Sequence, residues 1–371
     1  MHPFPETQNA RIARAQKLGE LVQDWLRGES GSCEQAAAET IRRGFFEAED
    51  VRIALNHLRE SVHPESLQRW LECSVPANLE QASKPEGAVL CLHAGNLPLV
   101  GLQDVLACIL AGVPYCGKVS RKDPLLLPSL LDFLAPVFPE LSLRWSTELD
   151  DFRNLKAGAV LFSGSEVSVP EVLARLNGGK MLRSDARKLI RTAHSSVAWI
   201  PAAALTIHQT LGPELAEAVF RYDGRGCRSL TTIFTNADPA IVLRLLSESA
   251  QKLFPTRENA RLNPLLRYRE AFFTAMHRQT ETHRGRLLAI TQPETHTDGL
   301  ITLTPGTPAD LSAFLQKHGS RIQSVYVPGS STPSAIAGRT TEPLAQAQTP
   351  PVSWRPDGVD ALKWILGDEF C

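Results

Sequence analysis

A change of hydrophobic period near residue 86 limits this chain more than any other feature. Before it the sequence reads as helix: in "RIARAQKLGELVQDWL" the residues Ile12, Leu18, Leu21, Val22, Trp25 and Leu26 recur close to the helical period, and "DVRIALNHLRESVHPESLQRWLECS" continues the pattern. At "KPEGAVLCLHAGN" the period gives way to a short apolar run closed by glycine and asparagine, the pattern of a buried strand entering a turn. A helix ("LQDVLACILAG"), a strand ("PYCGKVS"), a helix ("PLLLPSLLDFLAPVF"), a short strand near "LSLRW" and a strand ("AGAVLFSG") come next; a helix ("SVPEVLARLN") and a strand ("SSVAWI") complete the series. Strands alternating with helices in this way build a parallel sheet with crossover helices.

The alternation resumes after about residue 205. A helix ("GPELAEAVFRY") leads to a cysteine-bearing turn and the strand "LTTIFTN"; helices around 238–253 and 262–281, strands at "GRLLAIT" and "GLITLTP", a helix ("PADLSAFLQKHG") and a strand ("IQSVYVPG") form a second α/β unit. Residues 328–356 are rich in Pro, Ser, Thr and Gly and read as an extended loop or arm, and "GVDALKWILG" reads as a closing helix. The expected division is therefore an N-terminal helical region over 1–85, a Rossmann-like domain over 86–205, a second α/β domain over 206–328 and a C-terminal arm and helix over 329–371. A length of 371 residues suits about two domains.

Charge narrows the partners. Lys and Arg total 39 against 40 for Asp and Glu, so no overall field draws nucleic acid or an acidic membrane. Seven cysteines, an odd number with no CxxC pair, argue against a disulfide framework or a zinc site and for a reducing cytoplasm. The start, "MHPFPETQNARIARAQK", lacks the apolar core of a signal peptide, and the most apolar region is broken by His93, Asn96, Pro98, Gln103 and Asp104 before it reaches a bilayer-spanning length. A soluble, cytoplasmic chain without a membrane span is the expectation.

Five short stretches carry chemistry. In "VFRYDGRGCRSLTTIFT", Arg225 and Arg228 flank Cys227, and Gly224 and Gly226 let backbone N–H groups turn toward a bound oxygen. Such a thiol is either a nucleophile or a buried structural cysteine beside a tight turn. In "LHAGNLPL", Asn96 at the end of a strand can donate to a developing oxyanion or satisfy a turn. In "GKVSRKDP", Lys118, Ser120, Arg121 and Lys122 can hold ribose hydroxyls and phosphate or form a solvated loop. "VLFSGSEVSVPEVLARL" places Ser163, Gly164 and Ser165 between strand and helix, where small residues admit a diphosphate or cap the helix, with Glu166 turned away. His194, at the start of "SSVAWI", is a candidate proton donor or a hydrogen-bonded structural residue. Neither GxxxxGK[ST] nor GxGxxG, HExxH nor GxSxG occurs.

In this order the stretches "AGNLPLVG", "GKVSRKDP", "LFSGS", "SSVAWI" and "GRGCRSL" resemble the acyl-CoA reductase (LuxC-like) family of the aldehyde dehydrogenase superfamily. The likeness covers roughly residues 86–240 and extends more loosely through Gly338, Arg339, Trp354, Asp357 and Gly358. It implies an aldehyde dehydrogenase-like fold of two Rossmann-like domains, Cys227 as acyl-accepting nucleophile and Asn96 as oxyanion donor. Lys118 would contact the adenosine ribose, Ser163, Gly164 and Ser165 would lie along the diphosphate, and Ser120 is a further cofactor-binding candidate. The position three after the lysine often holds a glutamate in members that use NAD; Arg121 stands there instead, which points to NADPH, with NADH as the alternative. The general-base glutamate of aldehyde-oxidising members has no counterpart in "AHSSVAWI", which favours thioester reduction over hydrolysis to the acid. The implied activity is reduction of a long-chain acyl-CoA or acyl-protein thioester to the aldehyde, with a partner acyl-transferring enzyme as one acyl source and a homo-oligomer as the expected assembly. The competing readings are a CoA-acylating aldehyde dehydrogenase acting on short aldehydes and an inactive scaffold that binds nucleotide or acyl chains.

Overall fold

Five strands form the sheet of the first unit: β1 (Val89–Leu92), β2 (Tyr115–Lys118), β3 (Arg144–Ser146), β4 (Ala157–Ser163) and β5 (Leu182–Arg191). The computed structural model describes residues 7–28, 31–75, 84–257, 260–295, 297–329 and 335–367, so Cys371 and part of the expected arm lie outside the described residues. The strands are parallel throughout, in the order β3-β2-β1-β4-β5. Leu92 pairs with Lys118 on one side and Phe162 on the other, which aligns the carboxyl ends of the three central strands. All four residues of β1 are buried, as an apolar run covered on both faces must be.

The four helices Gln8–Arg27, Ser32–Arg42, Ala48–Ser61 and Pro64–Ser74 do not form a region of their own. Leu18, Trp25 and Trp70 share one core with Leu106 and Leu110 of the helix Leu102–Ala111, with Leu131, and with Leu362 near the C-terminus. Accordingly the first unit comprises Met1–Thr192 with Pro351–Cys371, and the second Ala193–Pro350. These boundaries differ from those expected at 85, 205 and 328.

Strand β5 has no counterpart in the sequence reading. Its run "LRSDARKLIR" is half charged, and Ser184 and Asp185 are exposed at the edge of the sheet where only β4 covers it. Periodicity does not betray an edge strand whose outer side faces water.

The second unit holds β6 (Ser195–Ile200), β7 (Leu230–Thr235), β8 (Thr280–His283), β9 (Arg286–Ile290), β10 (Leu300–Pro305), β11 (Ile322–Val327), β12 (Ala335–Ile336), β13 (Arg339–Thr340) and β14 (Glu342–Pro343). Its main sheet runs β14-β11-β6-β7-β10-β9-β8, and β8 alone is antiparallel to its neighbour. The helix expected over 262–281 stops at Ala275, because the chain turns back as β8 and closes onto β9 through Arg284 and Gly285, both at positive φ. Strand β6, expected in the first domain, is buried along its whole length between β11 and β7. Six buried residues in succession require a strand on each side, which the centre of the second sheet supplies.

The C-terminal motif residues serve the fold. Gly338, at φ 75, closes the β12–β13 hairpin, and Arg339 donates to the carbonyls of Ile322 (2.6 Å) and Gly319 (2.7 Å). Asp357 accepts the Thr192 N–H at 3.0 Å, and Gly358 follows at φ 76. Among the described residues, no helix is long and apolar enough to cross a membrane.

Candidate active site

In the first unit the topology gathers the candidate groups at the carboxyl ends of parallel strands. The chain winds from β1 through β2 to β3 on one side, then begins again at β4 on the other. Ligands of open parallel sheets bind in the crevice where the winding reverses, here between β1 and β4. Asn96 lies half-buried in the loop after β1, Ser163 ends β4, and Lys118 ends β2 opposite Leu92.

The loop bearing Asn96 is tied down by a residue that the sequence reading passed over. Leu99 adopts φ 60, and its N–H donates to Asp123 Oδ2 at 2.8 Å; Asp123 Oδ1 also accepts the Leu126 N–H at 3.3 Å. Burial raises the Asp123 carboxyl above its ordinary range, and these N–H groups pull it back. The signal was present: an acid directly before a proline and the apolar start of a helix is a capping pattern, hidden beside Arg121 and Lys122.

Beneath the same loop, His93 is buried with its Nε2 at 2.8 Å from the Tyr115 hydroxyl and its Nδ1 at 3.7 Å from Asp104. Asp104 in turn accepts Arg191 Nη1 at 2.7 Å. Burial pushes the imidazole down to about 4, so it is neutral at pH 7.

Around Lys118, burial and the nearby Arg121 guanidinium lower the ammonium from its ordinary value. Arg121 is exposed and grips Glu148 with two bonds, of 2.9 and 2.5 Å. Ser120 Oγ accepts the Lys122 N–H at 3.2 Å and lies against Gly95, where a Cβ would come within 1.8 Å of it. At the β4 loop the Gly164 N–H donates to the Arg191 carbonyl at 3.2 Å. The Ser165 hydroxyl donates to Ser168 Oγ at 3.1 Å, just ahead of the helix Val169–Gly178. An ammonium, serine hydroxyls and a helix start form a donor set that fits ribose and phosphate oxygens. Glu148, on Arg121, is a carboxylate beside this set.

In the second unit Cys227 is half-buried in the turn leading into β7. Tyr222, Asp223 and Gly224 are consecutive left-handed residues, with φ 55, 54 and 60. For the two side-chain-bearing residues that conformation costs about 1 kcal/mol or more each and survives only where surrounding contacts hold it. Those contacts are visible: Arg257 and Arg225 bind the Asp223 carboxylate at 3.0 and 3.2 Å, and Arg286 donates to the Asp223 carbonyl.

Arg228 is buried, with Glu342 at 2.8 Å, the carbonyls of Ala347 and Gln346 at 2.7 and 2.9 Å, and the Tyr326 ring beneath its guanidinium. The carboxylate and carbonyls compensate the charge, so Arg228 fastens the turn to the segment after β14. Arg225, the other flanking cation, is half exposed with its guanidinium on the Asp223 carboxylate. His194 is exposed; its N–H donates to the Arg321 carbonyl at 3.2 Å and its ring lies 3.4 Å from the Thr295 carbonyl. Among the described residues, no group of three His, Cys, Asp or Glu could hold a metal ion.

The family model described as acyl-CoA reductase (LuxC) matches residues 35–261, well over half of the chain. Among solved structures, aldehyde dehydrogenase 21 from Physcomitrella patens, in complex with the reaction product succinate, is similar at 14% identity and a TM-score of 0.60, over 85% of this chain and 73% of that one. An indole-3-acetaldehyde dehydrogenase complexed with NAD+ matches at 12% identity and TM-score 0.61, over 86% and 72% of the two chains. The aldehyde dehydrogenase KauB from Pseudomonas aeruginosa matches at 14% identity and TM-score 0.61, over 87% and 73%. No curated protein matches the chain. At such identities the likeness is one of fold, and the fold is that of the aldehyde dehydrogenases.

Proposed function

Because the chain belongs to the acyl-CoA reductase (LuxC) family, we propose that it reduces long-chain acyl thioesters to aldehydes with NADPH, through a covalent thioester on Cys227. The observation that carries the reading is the half-buried sulfur in a glycine turn, within the matched segment, just after the strained residues Tyr222 and Asp223. A partly exposed thiol on an over-determined turn is what nucleophilic catalysis requires.

In this reading the Cys227 sulfur attacks the thioester carbonyl carbon, and the Asn96 amide and the Cys227 N–H receive the oxyanion. The carbon–sulfur bond to coenzyme A breaks, the departing thiolate takes the proton that Cys227 lost, and the acyl group remains on Cys227. NADPH, when bound, supplies hydride to that acyl carbon. The oxygen then holds a proton, a thiohemiacetal stands on Cys227, and its collapse returns the proton to sulfur and frees the aldehyde. His194, exposed at the start of β6, is the proposed proton carrier. Lys118, Ser120, Ser163, Gly164 and Ser165 are assigned to the adenosine ribose and diphosphate, and Arg121 to the 2′-phosphate.

One observation favours NADH instead. Glu148 sits on Arg121, where it can accept from ribose hydroxyls and would oppose a phosphate. Against it, an exposed ion pair is worth little, so a phosphate can displace the carboxylate.

The test is mass spectrometry after incubation with acyl-CoA. A wild-type adduct on the Cys227 peptide, absent from Cys227→Ala while nucleotide binding persists, is the expected result. Reductase turnover retained by Cys227→Ala overturns the assignment. A panel of acyl chain lengths, run in both directions, separates the reductase from a CoA-acylating aldehyde dehydrogenase, and nucleotide binding without turnover marks a scaffold.

A further inference from the structure

Around Cys227 the turn is closed by the Ser229 N–H, which donates to the Gly226 carbonyl at 3.0 Å. The peptide following Cys227 is also held from the sheet. Ser196 on β6, wholly buried, donates its hydroxyl to the Cys227 carbonyl at 3.0 Å and accepts the Ser324 N–H of β11 at 3.2 Å.

The position of this serine in the ladder is unusual. Ser196 pairs with Leu230 but Val197 with Thr232, so β7 carries one extra residue, Thr231, at that point. On the other side Ser195 pairs with Ile322 and Val197 with Val325, so β11 also carries one extra residue there. Two bulges thus face the same point of β6, although the Ser196 N–H still donates to the Ser229 carbonyl at 3.1 Å. The Ser196 hydroxyl adds a donor bond toward the cysteine turn and an acceptor bond from β11. Bulges are common beside active sites, and Thr231, the extra residue of β7, lies four positions after Cys227.

We propose that Ser196 is a positioning residue for Cys227: its hydroxyl fixes the 227–228 peptide, so that the sulfur and the Cys227 N–H face the acyl carbonyl together. This rests on the reading of Cys227 as the nucleophile. A neutral hydroxyl on the carbonyl side leaves the ionisation of the thiol alone, so Ser196 governs the geometry of attack and not the reactivity of sulfur. A misplacement of about 1 Å at a reacting atom can lower a rate by about a hundredfold.

The experiment compares the full-length wild type with Ser196→Ala and with the near-isosteric Ser196→Cys, which keeps the packing and weakens the donor. Rapid-quench mass spectrometry follows acyl-CoA labelling of the Cys227 peptide, and iodoacetamide labelling of the same peptide reports thiol reactivity across pH. Both variants should acylate about 10- to 100-fold more slowly, with alkylation rate and pH profile unchanged. Acylation at the wild-type rate in either variant overturns the proposal, as does a parallel fall in alkylation, which would mark a collapsed turn. If the wild-type adduct forms at a residue other than Cys227, the nucleophile assignment fails first and this role with it.

Discussion

Arg228 commits its guanidinium to Glu342 and the carbonyls of Gln346 and Ala347, whereas Arg121 stays at the surface paired to Glu148. Both read alike in the sequence, as cations beside a candidate site, and burial separates them. A buried, fully partnered arginine is structural; an exposed one paired to a single carboxylate remains able to exchange its partner. The coenzyme assignment therefore depends on Arg121. Arg121→Ala is expected to raise KM for NADPH about tenfold, the loss of one charge-assisted contact, and to leave KM for NADH within about twofold. Equal rises for both coenzymes in steady-state assays would remove the 2′-phosphate from this residue. Glu148→Gln is expected to move in the other direction, lowering KM for NADPH.

Between strand and helix, His93 links the end of β1 to the helix Leu102–Ala111, through Tyr115 on β2 and through Asp104. The sequence reading saw His93 only as an interruption of an apolar run. Its pKa in the fold, pushed by burial from 6.5 to about 4, has a consequence for stability. Below pH 6.5 the unfolded chain takes up a proton that the folded one refuses, so the contribution of the neutral ring is complete above that value and fades as pH falls toward 4. Between pH 7 and pH 5 the first unit should lose about 2 kcal/mol from this group alone. Urea unfolding at the two pH values measures it, and His93→Gln should remove most of that difference. An unchanged difference in the variant assigns the acid sensitivity elsewhere. At the same scale β5 and the double bulge at β6 escaped notice, because edge exposure and ladder irregularity leave no period in the sequence.

For the molecule as a whole, the last segment completes the first core. Asp360, buried, accepts Ser74 Oγ at 2.6 Å and Trp70 Nε1 at 3.3 Å, and caps the helix Ala361–Ile365 through the Leu362 and Lys363 N–H groups. Asp360→Ala, which leaves those donors buried, should destabilise the first unit by about 2–4 kcal/mol in urea unfolding; a loss below about 1 kcal/mol would show that the segment is not anchored there. The sequence placed a helical region at one end and an arm at the other without joining them, since local patterns carry no record of which distant segment covers an apolar face. What the sequence settled by itself is the alternation of strand and helix, and hence the fold class, together with the five stretches that place the chain in its family. Hydrophobic period and turn chemistry are local, and they survive in one dimension. Only the tertiary structure decided that β6 belongs to the second sheet, that the first unit is closed by the segment from Pro351 on, that Arg228 fastens the cysteine turn to the segment after β14, and that a serine on one strand holds the peptide of a cysteine before another. Each of those is a contact between residues far apart in the chain, and such contacts are set by which surfaces pack and which buried polar groups must find partners.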